Sequence, residues 1–158
     1  MKASLVKALF FILVLIIHRL NKVDIFLVED NEDFSFLIEK AIDHIDKDLS
    51  LKIVGNGLTA LEVLKHYNHE GTKPRIILLD LNLPGLSGLD LLREIKGIEF
   101  LIQVPIILFT TSDNPKDVRA ATEYGANAYV TKPHGYLALI ECLRALFNFW
   151  FTHHKTIK

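Results

Sequence analysis

From Val23 onward, short apolar runs alternate with amphipathic stretches. Val23 to Val28 predicts a first strand, stopped by the acidic Glu29-Asp30-Asn31. Phe34, Leu37, Ile38, Ala41, Ile42 and Ile45 then recur at the 3.6-residue spacing of one helix face. Leu49 to Val54 predicts a second strand that ends on the turn signal Gly55-Asn56-Gly57, and Leu58, Leu61, Val63 and Leu64 mark a second helix. Arg75 to Leu79 is a nearly continuous apolar run, the pattern of a strand buried on both faces, and it ends on Asp80. A third helix is expected from about Ser87 to Lys96 with Leu89, Leu92 and Ile95 inward. Val104 to Phe109 predicts a fourth strand ending on Thr110, and Asp113-Asn114-Pro115 caps a fourth helix. Ala126 to Thr131 predicts a fifth strand closed by Lys132-Pro133, and a fifth helix starts near Gly135.

Five strands alternating with five helices form a βα repeat, and right-handed crossovers turn such a repeat into a parallel sheet covered on both faces. A closed barrel needs eight such units and much more chain. The expected class is therefore α/β, a doubly wound five-stranded parallel sheet. Ligands of that architecture sit beyond the carboxyl ends of the strands. Those ends carry Glu29 and Asp30, Asp80, Thr110 and Lys132.

Three carboxylates converging on one crevice repel each other unless a cation sits among them. Hard oxygen donors with room for water favour Mg²⁺. A metal held by carboxylates beside a lysine and a threonine makes a phosphoryl site, with Asp80 as the carboxylate nucleophile and Thr110 and Lys132 facing the phosphoryl oxygens. A haloacid-dehalogenase-type phosphatase also forms a phosphoaspartate, but it resembles its relatives in an Asp two residues after the nucleophile. Here that position is Asn82, which cannot transfer protons.

Composition narrows the reading further. The chain has 158 residues, 50% hydrophobic and 23% charged, with net charge −1, which fits one folded domain and excludes a disordered chain. That balance does not advertise nucleic-acid binding, since neutralising phosphates takes an excess of Lys and Arg. Cys142 is the single cysteine, so no internal disulfide forms and no Cys-based zinc site exists, which fits a reducing, cytoplasmic setting. His153-His154 is too isolated to be a metal site. The mean hydropathy of +0.27 is high for so charged a chain. Its surplus lies at two places: the unbroken apolar run Ala8 to Ile17, and a fifth helix apolar around most of its circumference, from Tyr136 and Leu137 to Phe149-Trp150-Phe151.

The motifs Leu27-Val28-Glu29-Asp30, Ile77-Leu78-Leu79-Asp80-Leu81-Asn82-Leu83-Pro84, Pro105-Ile106-Ile107-Leu108-Phe109-Thr110 and Tyr129-Val130-Thr131-Lys132-Pro133 follow in order. In them the chain from Val23 to about Phe147 resembles the receiver domain of two-component response regulators. The resemblance implies a flavodoxin-like sheet of order 2-1-3-4-5, residues 23–150 as the receiver, residues 1–22 as an apolar extension and residues 151–158 as a tail. It implies Asp80 as phosphoacceptor from a histidine kinase or phosphotransfer protein. Mg²⁺, with Mn²⁺ as substitute, would be held by Glu29, Asp30, Asp80 and the backbone carbonyl of Asn82. Thr110 and Lys132 would hold phosphoryl oxygens, Thr110 and Tyr129 would form the switch, and Lys132-Pro133 would be a cis bond.

Glu29 stands where many relatives carry Asp, so its longer side chain would reach the metal through water; Ser87 stands where Asp is frequent, away from the chemistry. Output would run through the surface of the fourth helix, fifth strand and fifth helix, with a homodimer through the fifth helix as one form of it. The chain would be a signalling protein that promotes its own phosphoryl uptake and loss and not a dedicated enzyme; the alternative is a receiver-like scaffold that is never phosphorylated. In Glu29-Asp30-Asn31, Thr110-Thr111-Ser112 and the terminal Phe149-Trp150-Phe151 the chain also resembles small standalone receivers associated with bacterial phytochrome kinases. For the first 22 residues two readings stand: an upstream mis-start, since family members typically begin near Asn21, or a membrane-associating or self-associating helix.

Overall fold

The computed structural model describes residues 5–10, 12–13, 22–70 and 72–153. Residues 11 and 14–17 of the apolar run and residues 154–158 of the tail, including His154, lie outside the described residues. The strands are β1 (Ile25–Val28), β2 (Leu51–Val54), β3 (Ile76–Leu79), β4 (Ile106–Thr110) and β5 (Ala128–Thr131). The main helices are α1 (Glu32–Ile45), α2 (Gly57–Glu70), α3 (Gly88–Lys96), α4 (Pro115–Glu123) and α5 (Tyr136–Asn148). All neighbouring strands pair parallel, in the order β2-β1-β3-β4-β5.

The three central strands are apolar because both of their faces are covered. Successive side chains of a strand point to opposite faces, so Phe26 and Val28, Ile77 and Leu79, Ile106 and Leu108 join one core with α2, α3 and Ala121 of α4. Ile25 and Leu27, Ile76 and Leu78, Ile107 and Phe109 join the other with α1 and α5. Full burial of each such side chain is worth about 1.5–3 kcal/mol.

The expected strands begin one or two residues too early. Val104 shows why: it is buried in the core, yet it sits in the turn before β4. Hydrophobicity reports burial, and a loop residue can be buried as well as a paired one. On α3, Leu91, Leu92 and Ile95 are fully buried, while Leu89 only packs at the margin. A short 3₁₀ turn at Glu99–Leu101, which buries Leu101, was not expected from the pattern.

Capping sets the helix starts. Asn31 accepts from the backbone N–H of Phe34 (2.8 Å), Ser87 from that of Asp90 (3.2 Å), and Asn114 from that of Lys116 (3.0 Å), with Pro115 in the first turn of α4. At its other end α5 opens into a wider π turn, Phe149–His153, that folds back on the domain. Phe151 stacks on Phe147 (5.4 Å between centroids), and the Arg75 guanidinium lies 3.9 Å from its ring centre. Leu146, Trp150 and Phe151 pack on the second core, so much of the apolar surplus of α5 is absorbed within the domain. Leu137, at 76%, and Phe149, at 53%, stay exposed.

Two constraints hold the ends of the sheet. At the amino end, the buried Asp24 carboxylate accepts from Ser50 Oγ (2.9 Å) and Ser50 N (3.0 Å) and pairs with Lys22 (3.0 Å) and Arg75 (3.3 Å). Burial pushes its carboxyl up, but the Ser50, Lys22 and Arg75 contacts together outweigh burial and hold it below the ordinary value of 3.8. At the carboxyl end, Gly88 leaves no room for a side chain: a Cβ there would lie 2.1 Å from the Asp80 carbonyl oxygen.

Two predictions follow from these contacts. A group held low contributes stability that is present above its unfolded pKa and lost as pH falls through its folded one. Asp24→Asn should therefore lower unfolding stability by about 2 kcal/mol at pH 7, and urea titrations should show the gap narrowing below pH 3.8. Gly88→Ala should destabilise by roughly 2–4 kcal/mol, whereas Gly97→Ala, where a Cβ meets nothing closer than 3.4 Å, should change stability by less than about 1 kcal/mol.

Candidate functional site

Each strand-end residue stands where its apolar strand runs out. Parallel register aligns Val28 with Leu79 and Leu79 with Leu108, so the residues after them emerge on one rim. Glu29 and Asp80 are nonetheless only 2% and 5% exposed. Glu29 N donates to Val54 O and Asp80 N to Val28 O, both at 3.0 Å, which extends the ladders and fixes the two side chains side by side.

Lys132, 8% exposed, reaches across from the end of β5. Its ammonium donates to Glu29 Oε2 at 2.5 Å and to Asp80 Oδ2 at 2.8 Å. The Nζ atom also lies 4.4 Å from the centre of the Phe34 ring, which itself stacks on Phe109 (6.1 Å). One cation therefore serves two buried carboxylates against an aromatic wall, where charge interactions are less screened than in water. Burial pushes the Glu29 carboxyl above its ordinary range; the Lys132 bond and charge oppose that shift, and the neighbouring Asp80 adds to it.

Asp30 completes the acidic group from an exposed position. Glu29, Asp30 and Asp80 each offer an oxygen within 4.8 Å of the others, the one such metal-capable group among the described residues. Three hard oxygen donors so close, with one ammonium to balance them, fit a divalent cation of the Mg²⁺ or Mn²⁺ type. Asn82 lies in the loop after β3, and its backbone N–H donates to Asp80 Oδ1 at 3.4 Å.

Thr110 is fully buried at the end of β4, next to β3. Its Oγ1 accepts from Ser112 N (3.3 Å), and its carbonyl accepts from Lys132 N (2.7 Å). Tyr129 is half-buried on β5, and its hydroxyl donates to the Ser112 carbonyl at 2.9 Å. Ser112 Oγ in turn donates to Asp117 Oδ2 on α4 at 2.6 Å. Burial pushes the Tyr129 phenol up; the Ser112 bond opposes this, and the carboxylates of Asp117, Asp113 and Asp80 reinforce it.

The expectation of a cis Lys132-Pro133 bond is corrected: the peptide is trans, and no cis bond occurs among the described residues. Trans is the lower-energy form even before proline, by roughly 0.5–1 kcal/mol. With the bond trans, the Lys132 backbone already bonds Thr110 and its ammonium already reaches both carboxylates.

The comparisons agree with this fold. Residues 25–144 match the sequence model of the family described as response regulator receiver domain. The chain belongs to the response regulator receiver family. The receiver is 36% identical over 128 residues to Response regulator Rcp1 of Synechocystis sp., covering 80% of this chain and 87% of that one. It is similar in structure to a phosphorylated cyanobacterial phytochrome response regulator, RcpA, with a TM-score of 0.78, 30% identity and coverage of 85% and 97% of the two chains. A Mn²⁺-bound form of Rcp1 gives a TM-score of 0.73 and 34% identity, covering 87% and 99%.

Two residues of the receiver's rim were not read as site residues. Phe34 looked like one more member of the α1 stripe, but it faces the Lys132 ammonium. The backbone N–H of Asn31 donates to Glu29 Oε1 at 3.3 Å. Asn three residues before Phe34 is a helix-start signal, and it marks both.

Removing Lys132 strands two buried carboxylates. Lys132→Met should lower stability by about 3 kcal/mol in chelator. Millimolar Mg²⁺ should restore more stability to this variant than it adds to wild type, as read from urea midpoints.

Proposed function

We propose that this receiver accepts a phosphoryl group from a histidine kinase or phosphotransfer protein on Asp80 and signals through its α4, β5 and α5 surface. The observation that carries the reading is the Lys132 ammonium shared between the buried Glu29 and Asp80 carboxylates. A buried aspartate beside a lysine and two further acids is a nucleophile held in place by one ammonium, with negative charge left over for a cation to offset.

Glu29, Asp30, Asp80 and the Asn82 carbonyl would hold Mg²⁺, with Mn²⁺ as substitute. When bound, the ion neutralises charge on the phosphoryl oxygens. An Asp80 oxygen attacks phosphorus; the new P–O bond forms as the P–N bond of the donor phosphohistidine breaks, and its electron pair leaves on the imidazole nitrogen. Lys132 offers its ammonium to the incoming oxygens, and Thr110 offers its hydroxyl. No base is needed for an attacking carboxylate. The donor would approach along a cavity of about 310 Å³ between the start of α1 and the β5–α5 loop, lined by Phe34, Leu37, Lys132, Pro133, Tyr136 and Leu139.

The switch would pass through Ser112. Phosphorylation replaces a carboxylate with an acyl phosphate, adding roughly one negative charge and three strong acceptor oxygens. Thr110 turning towards them releases the Ser112 N–H, and Ser112 also carries the bonds to Tyr129 and Asp117. The β4–α4 loop, β5 and α4 would therefore move together. Val118 of α4, Tyr124 at its carboxyl cap and Leu137 of α5 expose apolar surface. A partner, or a second copy in a homodimer through α5, would cover it.

Acetyl phosphate with Mg²⁺ should add one phosphoryl group, read as about 80 Da by intact mass spectrometry; Asp80→Ala should take up none, and chelator should suppress uptake. Equal labelling of Asp80→Ala, or none of wild type, would favour the unphosphorylated scaffold.

A further inference from the structure

The described residues of the amino-terminal helix belong to neither core nor site. Residues 5–10 and 12–13 are helical, and Leu5, Val6, Leu9, Phe10, Ile12 and Leu13 are each 51–68% exposed. None belongs to either core cluster. Residues 1–23 hold four of the chain's 18 Lys and Arg, at Lys2, Lys7, Arg19 and Lys22, and none of its 19 Asp and Glu. The remainder of the chain is correspondingly acidic. A greasy, purely basic segment on an acidic domain is complementary to a surface that is itself apolar beneath and anionic above.

Length decides how such a surface is met. The apolar run Ala8 to Ile17 holds ten residues, half of the roughly 20 that a helix needs to cross the hydrocarbon of a bilayer. No helix among the described residues is long and apolar enough to cross a membrane. Insertion into one leaflet is what the length allows.

The domain meets this segment at a suitable edge. Lys22 leads into β1 at the amino ends of the strands, opposite Asp80. On the same edge a groove of about 290 Å³ is lined by Lys73, Arg75, Trp150 and Phe151, and Phe149 stays half-exposed beside it. Aromatic and basic side chains together suit the boundary between headgroups and hydrocarbon. Asp24 partly neutralises Lys22 and Arg75, and Asp46 and Asp48 lie in the turn before β2, so most of the charge attraction has to come from the segment itself.

We propose that the amino edge of this receiver docks on an anionic lipid bilayer: the apolar run enters one leaflet, its Lys and Arg residues meet the headgroups, and the Trp150 edge rests on the interface. The phosphoacceptor end then faces water, open to its donor. Docking does not depend on phosphorylation.

The test is flotation of the full chain with vesicles of phosphatidylcholine alone or with phosphatidylglycerol. The chain should float with the mixed vesicles and far less with the neutral ones. Binding should weaken between about 0.1 M and about 1 M salt, as the Debye length falls from about 10 Å to about 3 Å. Lys7→Gln with Arg19→Gln should weaken partitioning at least about tenfold. Leu9→Glu with Phe10→Glu should abolish it while leaving the unfolding midpoint unchanged, since neither residue packs in a core. Trp150 is the only tryptophan, so quenching of its emission by brominated lipid reads the docking face directly. Recovery of the chain in the bottom fraction with mixed vesicles would overturn the proposal, as would a lipid-free oligomer that Leu9→Glu with Phe10→Glu disperses and that never floats. Flotation without quenching of Trp150 would overturn the assigned face.

Discussion

Two carboxylates are buried side by side at the end of this sheet, and one ammonium bonds both and offsets part of their charge. That shared pairing, a partial charge balance, is the constraint around which the rest is arranged. Glu29, Asp80 and Lys132 come from three different strands, so the balance exists only if β1, β3 and β5 end at the same height. A register slip in any strand would bury a carboxylate without a partner, which typically costs several kcal/mol. The site therefore selects the register as much as the register builds the site.

The same constraint explains the surroundings. Phe34 and Phe109 keep water from one side of the lysine, which strengthens its pull on both acids. Gly88 lets the loop after β3 close onto the backbone of Asp80. A trans bond before Pro133 suffices to deliver the ammonium. The bonds that radiate from Ser112 to Thr110, Tyr129 and Asp117 tie the same rim to β5 and α4.

The molecule has two ends with different physics. The carboxyl edge is acidic, polar and tightly bonded. The amino edge is tied by Asp24 to Ser50, Lys22 and Arg75 and finished by an aromatic turn, with an exposed apolar helix beyond it in the chain.

Much of this was legible in the residues. The βα alternation, the fully apolar central strands and the acids that stop them follow from hydrophobic period and polarity, which are local properties. So did Asp80, Lys132 and the caps at Asn114 and Pro115, because a charge or a cap at a strand or helix end leaves a local mark. The Phe34 contact to Lys132, the trans Lys132-Pro133 bond, the return of Phe151 onto Phe147 under Arg75, and the burial of Val104 in a turn were decided only in three dimensions. Each depends on which distant segment arrives at a given place, and a pattern along the chain says that a side chain needs a partner without saying which one it finds.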